Sequence, residues 1–422
     1  MAGALEGIRV LDLTEIIAGP MAAMYLSDMG ADVIKVEPPW GEPWRQQALI
    51  APMEGRNYIA LNRGKRSLPL DLTKPEAREV IYKLAPDMDV VVINYRPDVP
   101  YKLGVDYETL SAINPRIIYC ENTAYGRRGP DSARPGYDII IQGLSGLLAG
   151  DRHIQNGLPQ AVSASALADS ATGLAMAWGI CAALYARERT GKGQKIEANL
   201  LATALALQTM RHTQIEKVDQ EPRQQFLEDI SVLREAGRPY PEIFARYDAH
   251  RPRPPGNIYY RTFQTKDSVI AVACLSDVLR RKMADVLGLY DIRFEPGYDP
   301  FSERAIKFGD ELNVKTEALF LGKTTAEWIA LLDKAGVPCG PVLFVEELVE
   351  HPQVHANDLV VELQHSKVGL VKMFGPLLRM SETPLRAKSA APAMGEHTDE
   401  VLTSLGYTPE QIARLRKDGV TR

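Results

Sequence analysis

With 422 residues the chain is long enough for two or more domains, each with its own hydrophobic core. Its 49 Lys and Arg stand against 54 Asp and Glu, a net charge of -5. No basic stretch can track a phosphate backbone, since His250 to Pro255 is short and broken by proline, so a nucleic-acid groove is excluded. Strand patterns fall at Ile8 to Leu11, Val33 to Val36, Ser67 to Leu70, Val90 to Ile93 and Ile117 to Tyr119, and helical spacing at Pro20 to Met29, Pro75 to Leu84 and Tyr107 to Ile113. Such alternation implies parallel strands with helical crossovers, an α/β Rossmann-like domain. A long apolar helix follows Ala166, and from Glu216 to Gly256 the composition shifts to charge, Pro and Arg, as expected of a linker. A strand pair (Tyr259 to Thr265, Val269 to Cys274) and a helix from Asp277 predict a small α+β unit. After it come a helix from Thr325 to Ala335, a tight Pro338-Cys339-Gly340-Pro341 turn, a further helix and a polar terminal helix from Pro409. There is no internal repeat or low-complexity tract.

Cys120, Cys181, Cys274 and Cys339 lie far apart without a CxxC pair, which points to free thiols in a reducing compartment. Met1 leads straight into a strand pattern without a basic and apolar leader, and no apolar run approaches bilayer-spanning length. The expected location is the cytoplasm, with no membrane partner.

The chemistry concentrates at Ala166-Leu167-Ala168-Asp169-Ser170-Ala171-Thr172-Gly173. Small residues precede it and an apolar helix follows, so Asp169 is expected at or next to the N-cap. In the plain reading Asp169 caps its own helix. In the sharper one, the free amides and the helix dipole hold an ionised carboxylate beside a wall of small residues, ready to act as a nucleophile.

Other motifs stand in a fixed order around it. Leu5 to Thr14, Ala18-Gly19-Pro20, Gly30 to Glu37, Asn62 to Leu72, Asn94-Tyr95-Arg96-Pro97 and Gly136-Tyr137-Asp138 come before; Thr190 to Gln194, Gly336 to Val342 and Gly395 to Asp399 come after. The set resembles the class III coenzyme A transferases, the family of formyl-CoA transferase and carnitine CoA transferase, from about Leu5 to about Leu405. The resemblance implies a large Rossmann-like domain built from the first part (1–215) and a returning C-terminal part (325–422), a linker (216–256), a small α+β domain (257–324) and an interlocked homodimer. It implies no tightly bound cofactor and no metal; acyl-CoA and a small carboxylic acid are the substrates. Asp169 matches the family's Asp-Ser-x-x-Gly nucleophile, which passes through aspartyl anhydride and aspartyl-CoA thioester intermediates. Matching CoA-binding positions are Ile17 and Ala18, with Ile17-Ala18-Gly19 as oxyanion donors, then Leu72, Thr73, Asn94, Tyr95, Lys102, Tyr137 and Asp138. Strand C-termini bind ligands in open α/β sheets, which independently supports the groups at Leu72 and Asn94. The stretch Asn62 to Ser67 is also cationic enough to meet phosphate.

The chain departs from the family pattern in places. It lacks the glycine run that shields the intermediate in formyl-CoA transferase, and Ile17 and Pro38 replace that enzyme's glutamine and arginine. A larger acyl group than formate or oxalate is expected, with succinyl-CoA as the family-level donor. Related reactions remain open: a 2-methylacyl-CoA racemase, whose basic histidine is here Tyr137, and an isomerase moving CoA within one dicarboxylic acid. A dinucleotide-binding dehydrogenase lacks its Gly-x-Gly-x-x-Gly, since Thr14 to Pro20 stands there instead. An inactive CoA-binding partner subunit is disfavoured by Asp169 itself. His351 and His355 read as a helix start rather than a metal pair, Cys339 as a thiol in a rigid turn, and Arg211-His212 as helix-end cations.

Overall fold

The computed structural model describes residues 2–162, 164–251 and 257–422. The chain divides into two compact units, Met1–Glu221 with Pro352–Arg422, and Pro222–His351.

The larger unit is built on six strands: β1 (Arg9–Leu13), β2 (Asp32–Glu37), β3 (Lys65–Pro69), β4 (Val90–Ile93), β5 (Ile118–Thr123) and β6 (Gln194–Asn199). They lie in the order β6-β5-β4-β1-β2-β3, every pair parallel. Near-continuous apolar runs such as Val90-Val91-Val92-Ile93, all buried, mark strands covered on both faces. Alternate residues feed opposite layers. Leu11, Leu13, Ile34, Val91 and Ile93 pack with Val80, Ile81 and Leu84 of α2 (Pro75–Leu84) and Leu110 of α3 (Tyr107–Ile113). Val10, Val33, Val90 and Val92 meet Ala22, Ala23 and Leu26 of α1 (Ala18–Asp28). The C-terminal residues join the first layer through Val401, Leu402, Ile412 and Leu415, and Asp71 N donates to Val420 O at 2.9 Å.

Further helices of this unit are α4 (Asp138–Leu144), α5 (Leu167–Thr190) and α6 (Leu200–Ala206). Met176, Ile180 and Leu184 of α5 are buried in the second layer. By length and composition α5 is apolar enough to cross a bilayer. That corrects the reading that no apolar run approaches such a length; its apolar character is spread over Ala and Gly rather than a run of branched residues.

The second unit contains most of α7 (Glu216–Glu235), then α8 (Tyr240–His250), the strands β7 (Tyr260–Gln264) and β8 (Val269–Ala273), α9 (Asp277–Leu287), α10 (Glu303–Phe320), α11 (Thr325–Ala335) and β9 (Cys339–Pro341). The expected linker is thus largely helical: Arg246 reaches Asp229 at 2.6 Å, and Phe226 packs on Tyr247 and Phe244 on Tyr247. Its Pro-rich end, 252–256, lies outside the described residues. The Pro338 to Pro341 turn is likewise a strand edge, because β9 pairs antiparallel with β8, Cys339 opposite Val272. For the same reason residues 325–351 fall in the second unit, and only Pro352–Arg422 return to the first.

One buried charge cluster sits beyond the ends of β1, β2 and β3. Arg45 donates bidentately to Glu37 at 2.7 and 2.9 Å and to Glu54 at 3.2 Å, with its guanidinium 3.6 Å from the centre of the Tyr58 ring. All four side chains are buried. Planar fork geometry suits this arrangement, and removing the cation leaves two buried carboxylates without their guanidinium. Arg45→Leu should therefore destabilise the chain by about 3–5 kcal/mol, read as a lower urea midpoint at neutral pH.

Candidate active site

Ligands in open α/β sheets bind outside the carboxyl ends of strands where the strand order reverses, here at β1 and β4. A cleft lies there. Glu15 and Ile16 follow β1, Asn94, Tyr95, Arg96 and Pro97 follow β4, and Asn122, Thr123 and Ala124 close β5; Arg134, Gly136, Tyr137, Leu200 and Asp169 complete the lining. About 580 Å³ of space lies among these side chains, with open solvent at the mouth included.

Asp169 is the third residue of α5, not its cap. The N-cap is Ala166, which makes no side-chain hydrogen bond. The helix mouth is capped instead by Asp138, whose Oδ1 accepts from the amides of Ala168 at 2.8 Å and Asp169 at 3.2 Å. Asp138 Oδ2 in turn accepts from Gln142, and Gln142 Oε1 accepts from Val162 N at 3.1 Å. Asp138 is therefore turned into the protein, where it does not line the cleft. With those amides occupied, burial and the neighbouring Asp138 carboxylate push the Asp169 pKa up to about 7. This corrects the expectation that the helix mouth holds Asp169 ionised: another acid has taken its donors.

Gly173 explains the spacing of the Asp-Ser-x-x-Gly run. A Cβ there would come within 2.9 Å of Ala18 O and 3.2 Å of the Met21 side chain, so only glycine lets α5 cross the first turn of α1 one turn beyond Asp169. That crossing sets Asp169 beside the corner Ile16-Ile17-Ala18. Ile17 caps α1 without a side-chain hydrogen bond and Ala18 opens it, so their amides have no acceptor within the helix. Ile16 has φ +71°, a left-handed conformation that costs a β-branched residue about 1–3 kcal/mol.

The remaining expected residues separate into two groups. Asn94, Tyr95 and Tyr137 line the cleft with Asp169, and Tyr137 is 64 % exposed. Asn94 also holds the chain after β1: Glu15 N donates to its Oδ1 at 2.9 Å, and its Nδ2 donates to Glu15 O at 2.7 Å. Burial raises the Tyr95 hydroxyl far above its ordinary range. By contrast Leu72 is buried in the core, Thr73 bonds Asp71 at 2.6 Å, and Lys102 is exposed and paired with Asp98 at 2.6 Å; none of the three lines the cleft. The cationic stretch Asn62 to Ser67 is engaged inside the fold. Lys65 is buried against Asp12 at 2.8 Å, Arg63 pairs with Asp28 at 2.6 Å, and Arg66 with Asp32 at 2.5 Å. Asn122, Thr123 and Arg134 are cleft residues that no motif marked; only their place at the end of β5 and in the connection after it could have shown them. Among the described residues no group of three or more His, Cys, Asp and Glu converges as metal ligands do.

Raised pKa values carry a stability consequence. The folded chain binds the Asp169 proton more tightly than the unfolded chain does, so this group costs stability as pH rises from the ordinary carboxylate range through about 7. Asp169→Asn should melt about 2–4 °C above the parent at pH 8 and show no such gain at pH 4, by scanning calorimetry.

Residues 5–398 match the model of CoA-transferase family III. The chain is 34 % identical to a succinate–glutarate CoA-transferase of Agrobacterium fabrum over 95 % of both chains. It is 31 % identical to a formyl-CoA:oxalate CoA-transferase of Rhodopseudomonas palustris, over 99 % of this chain and 97 % of the other. The crystal structure of a CAIB/BAIF family protein from Brucella suis superposes with a TM-score of 0.73 at 29 % identity, covering 96 % of this chain and 100 % of that one. The chain thus belongs to CoA-transferase family III.

Proposed function

We propose that the chain moves coenzyme A from succinyl-CoA to another carboxylic acid through covalent intermediates on Asp169. The observation that carries this reading is the Asp169 carboxylate, stripped of amide donors by Asp138 and placed in the cleft beside the first turn of α1. An Asp169 oxygen attacks the thioester carbonyl and CoA thiolate leaves, giving a mixed anhydride. The thiolate then attacks the aspartyl carbonyl, releasing the donor acid and forming an aspartyl-CoA thioester. The acceptor carboxylate attacks that thioester and expels the thiolate. Attack of the thiolate on the acceptor carbonyl gives the new acyl-CoA and restores Asp169. No proton is gained or lost in the cycle, and water is not a reactant. The amides of Ile17 and Ala18, which start α1 and have no acceptor within it, are the proposed donors for each oxyanion.

A dicarboxylic acceptor suits the chain. Succinate–glutarate relatives are of this kind, Arg96 and Arg134 supply cations in the cleft lining, and Ile17 and Pro38 lack the polar groups described above for formyl-CoA transferase. Tyr95, Tyr137 and Asn94 would line the path of the pantetheine arm. Leu72, Thr73 and Lys102 lie at the same carboxyl edge for the nucleotide end, where the exposed Lys102–Asp98 pair costs little to open. A racemase is disfavoured because the cleft lining holds no histidine among the described residues.

The reading includes a homodimer, as two interlocked copies. On another side of α5, Leu174, Trp178, Leu207, Leu377 and Leu378 line an open apolar hollow of about 1330 Å³ with the solvent at its mouth included, and Trp178 is 76 % exposed. Apolar surface of that extent is covered in a stable protein, and a second copy is the proposed cover. Free thiols at all four cysteines support a cytoplasmic location.

Transfer of CoA from succinyl-CoA to a panel of acids, followed by mass spectrometry, should show turnover that Asp169→Ala lowers at least 10³-fold. The α-hydrogen should not exchange in deuterated water; exchange without transfer would favour the racemase. Because the carboxylate form is the nucleophile and forms as pH rises through about 7, donor-acid release should increase tenfold per pH unit below 6 and level off above 8.

A further inference from the structure

The corner between β1 and α1 is held by more than its own backbone. Thr14 N donates to Asp12 Oδ1 at 3.0 Å, and Thr14 O accepts from the buried Lys35 ammonium. Glu15 has both backbone groups bound by Asn94, at 2.9 and 2.7 Å. Ile16 N donates to Glu42 Oε2 at 3.1 Å. Thus the residues that lead into the left-handed Ile16 are fixed by four side chains, Asp12 within β1, Lys35 within β2, Glu42 after β2 and Asn94 after β4.

Glu42 makes this arrangement costly. The side chain is 1 % exposed, and its other oxygen, Oε1, is buried with no hydrogen-bond partner among the described residues. Burial holds the Glu42 carboxyl above its ordinary range, and Lys35, itself engaged with Thr14 O and 3.9 Å from Asp12, offsets this only in part. A buried carboxylate with half its acceptors unused is poor for stability, and such exceptions gather at functional sites.

We propose that Glu42, Asn94 and Lys35 are positioning residues for catalysis: they hold Ile16 left-handed so that the Ile17 and Ala18 amides stay fixed at the first turn of α1 beside Asp169. They touch no reacting atom in this role. The inference rests on the transfer reaction proposed above and adds a requirement to it. The corner must be rigid for the oxyanion steps, not for binding acyl-CoA.

Steady-state kinetics with succinyl-CoA on the full chain test it. Glu42→Ala removes the acceptor for Ile16 N and should lower kcat about 10- to 100-fold while KM for succinyl-CoA stays within about threefold. Glu42→Gln keeps a side-chain oxygen there and should stay within about threefold of the parent. Adding Ile16→Gly to Glu42→Ala should recover part of the loss, about three- to tenfold, because glycine adopts φ > 0 without a Cβ penalty. Equal damage from Glu42→Ala and Glu42→Gln, a loss confined to KM, or no loss would overturn the inference. If Glu42→Ala fails to fold, Glu42→Asp, which draws the carboxylate back from Ile16 N, decides alone: lower kcat with KM kept supports a corner anchor, and an unchanged kcat or a loss confined to KM overturns it. A parent chain that transfers no CoA would sink this inference together with the reaction; a parent that transfers normally beside silent variants would sink this inference only.

Discussion

Two carboxylates meet at the mouth of one helix, and only one can have its amides. Asp138 accepts from both Ala168 N and Asp169 N, which leaves the Asp169 carboxylate with burial and a like charge for neighbours. The consequence is chemical. A carboxylate of ordinary pKa is a weak nucleophile and an easy leaving group, whereas one with a pKa of about 7 sits near the thiol side of that balance and still ionises at neutral pH. The proposed reversible exchange among anhydride, thioester and free acid asks for this compromise. The helix start contributes by being occupied.

Several parts of the fold were legible because local and long-range preferences agree there. Val90 to Ile93, Pro75 to Leu84, Tyr107 to Ile113 and Thr325 to Ala335 occur with the bounds read from the residues. Each has a continuous β-branched run or a clear start, such as Pro75 at N1 or the Thr324–Glu327 capping box. Glu216 to Gly256 read as a connection because charge and proline dominate; its helices depend on partners such as Arg246 with Asp229 that no periodicity announces. Cys339 became a strand residue only because Val272 lies across from it.

The site divides in the same way. Asp169 stood out because its flanking residues are small and its helix apolar, but the cap comes from 31 residues upstream, so the roles of Asp138 and Asp169 could not be separated along the chain. Lys65 looked like a phosphate ligand by charge alone; in the fold it is a buried partner of Asp12. Asn122 and Arg134 reach the cleft through the ends and connections of β5, and their surroundings carry no signature. Spacing marked Asp169, while tertiary contacts decided its electrostatics and its neighbours.

Oxygen-18 in the acceptor carboxylate follows the covalent path most directly. Its attack on the aspartyl thioester, and return of the thiolate to the acceptor carbonyl, leave one labelled oxygen in the Asp169 side chain; later turnovers pass it to the released donor acid. Peptide and product mass spectrometry should find one added label in the peptide carrying Asp169 after the first turnover, a second on later turnovers, and label accumulating in the donor acid. Label reaching the donor acid while Asp169 stays unlabelled would mean that the two acids react directly, and would contradict the account.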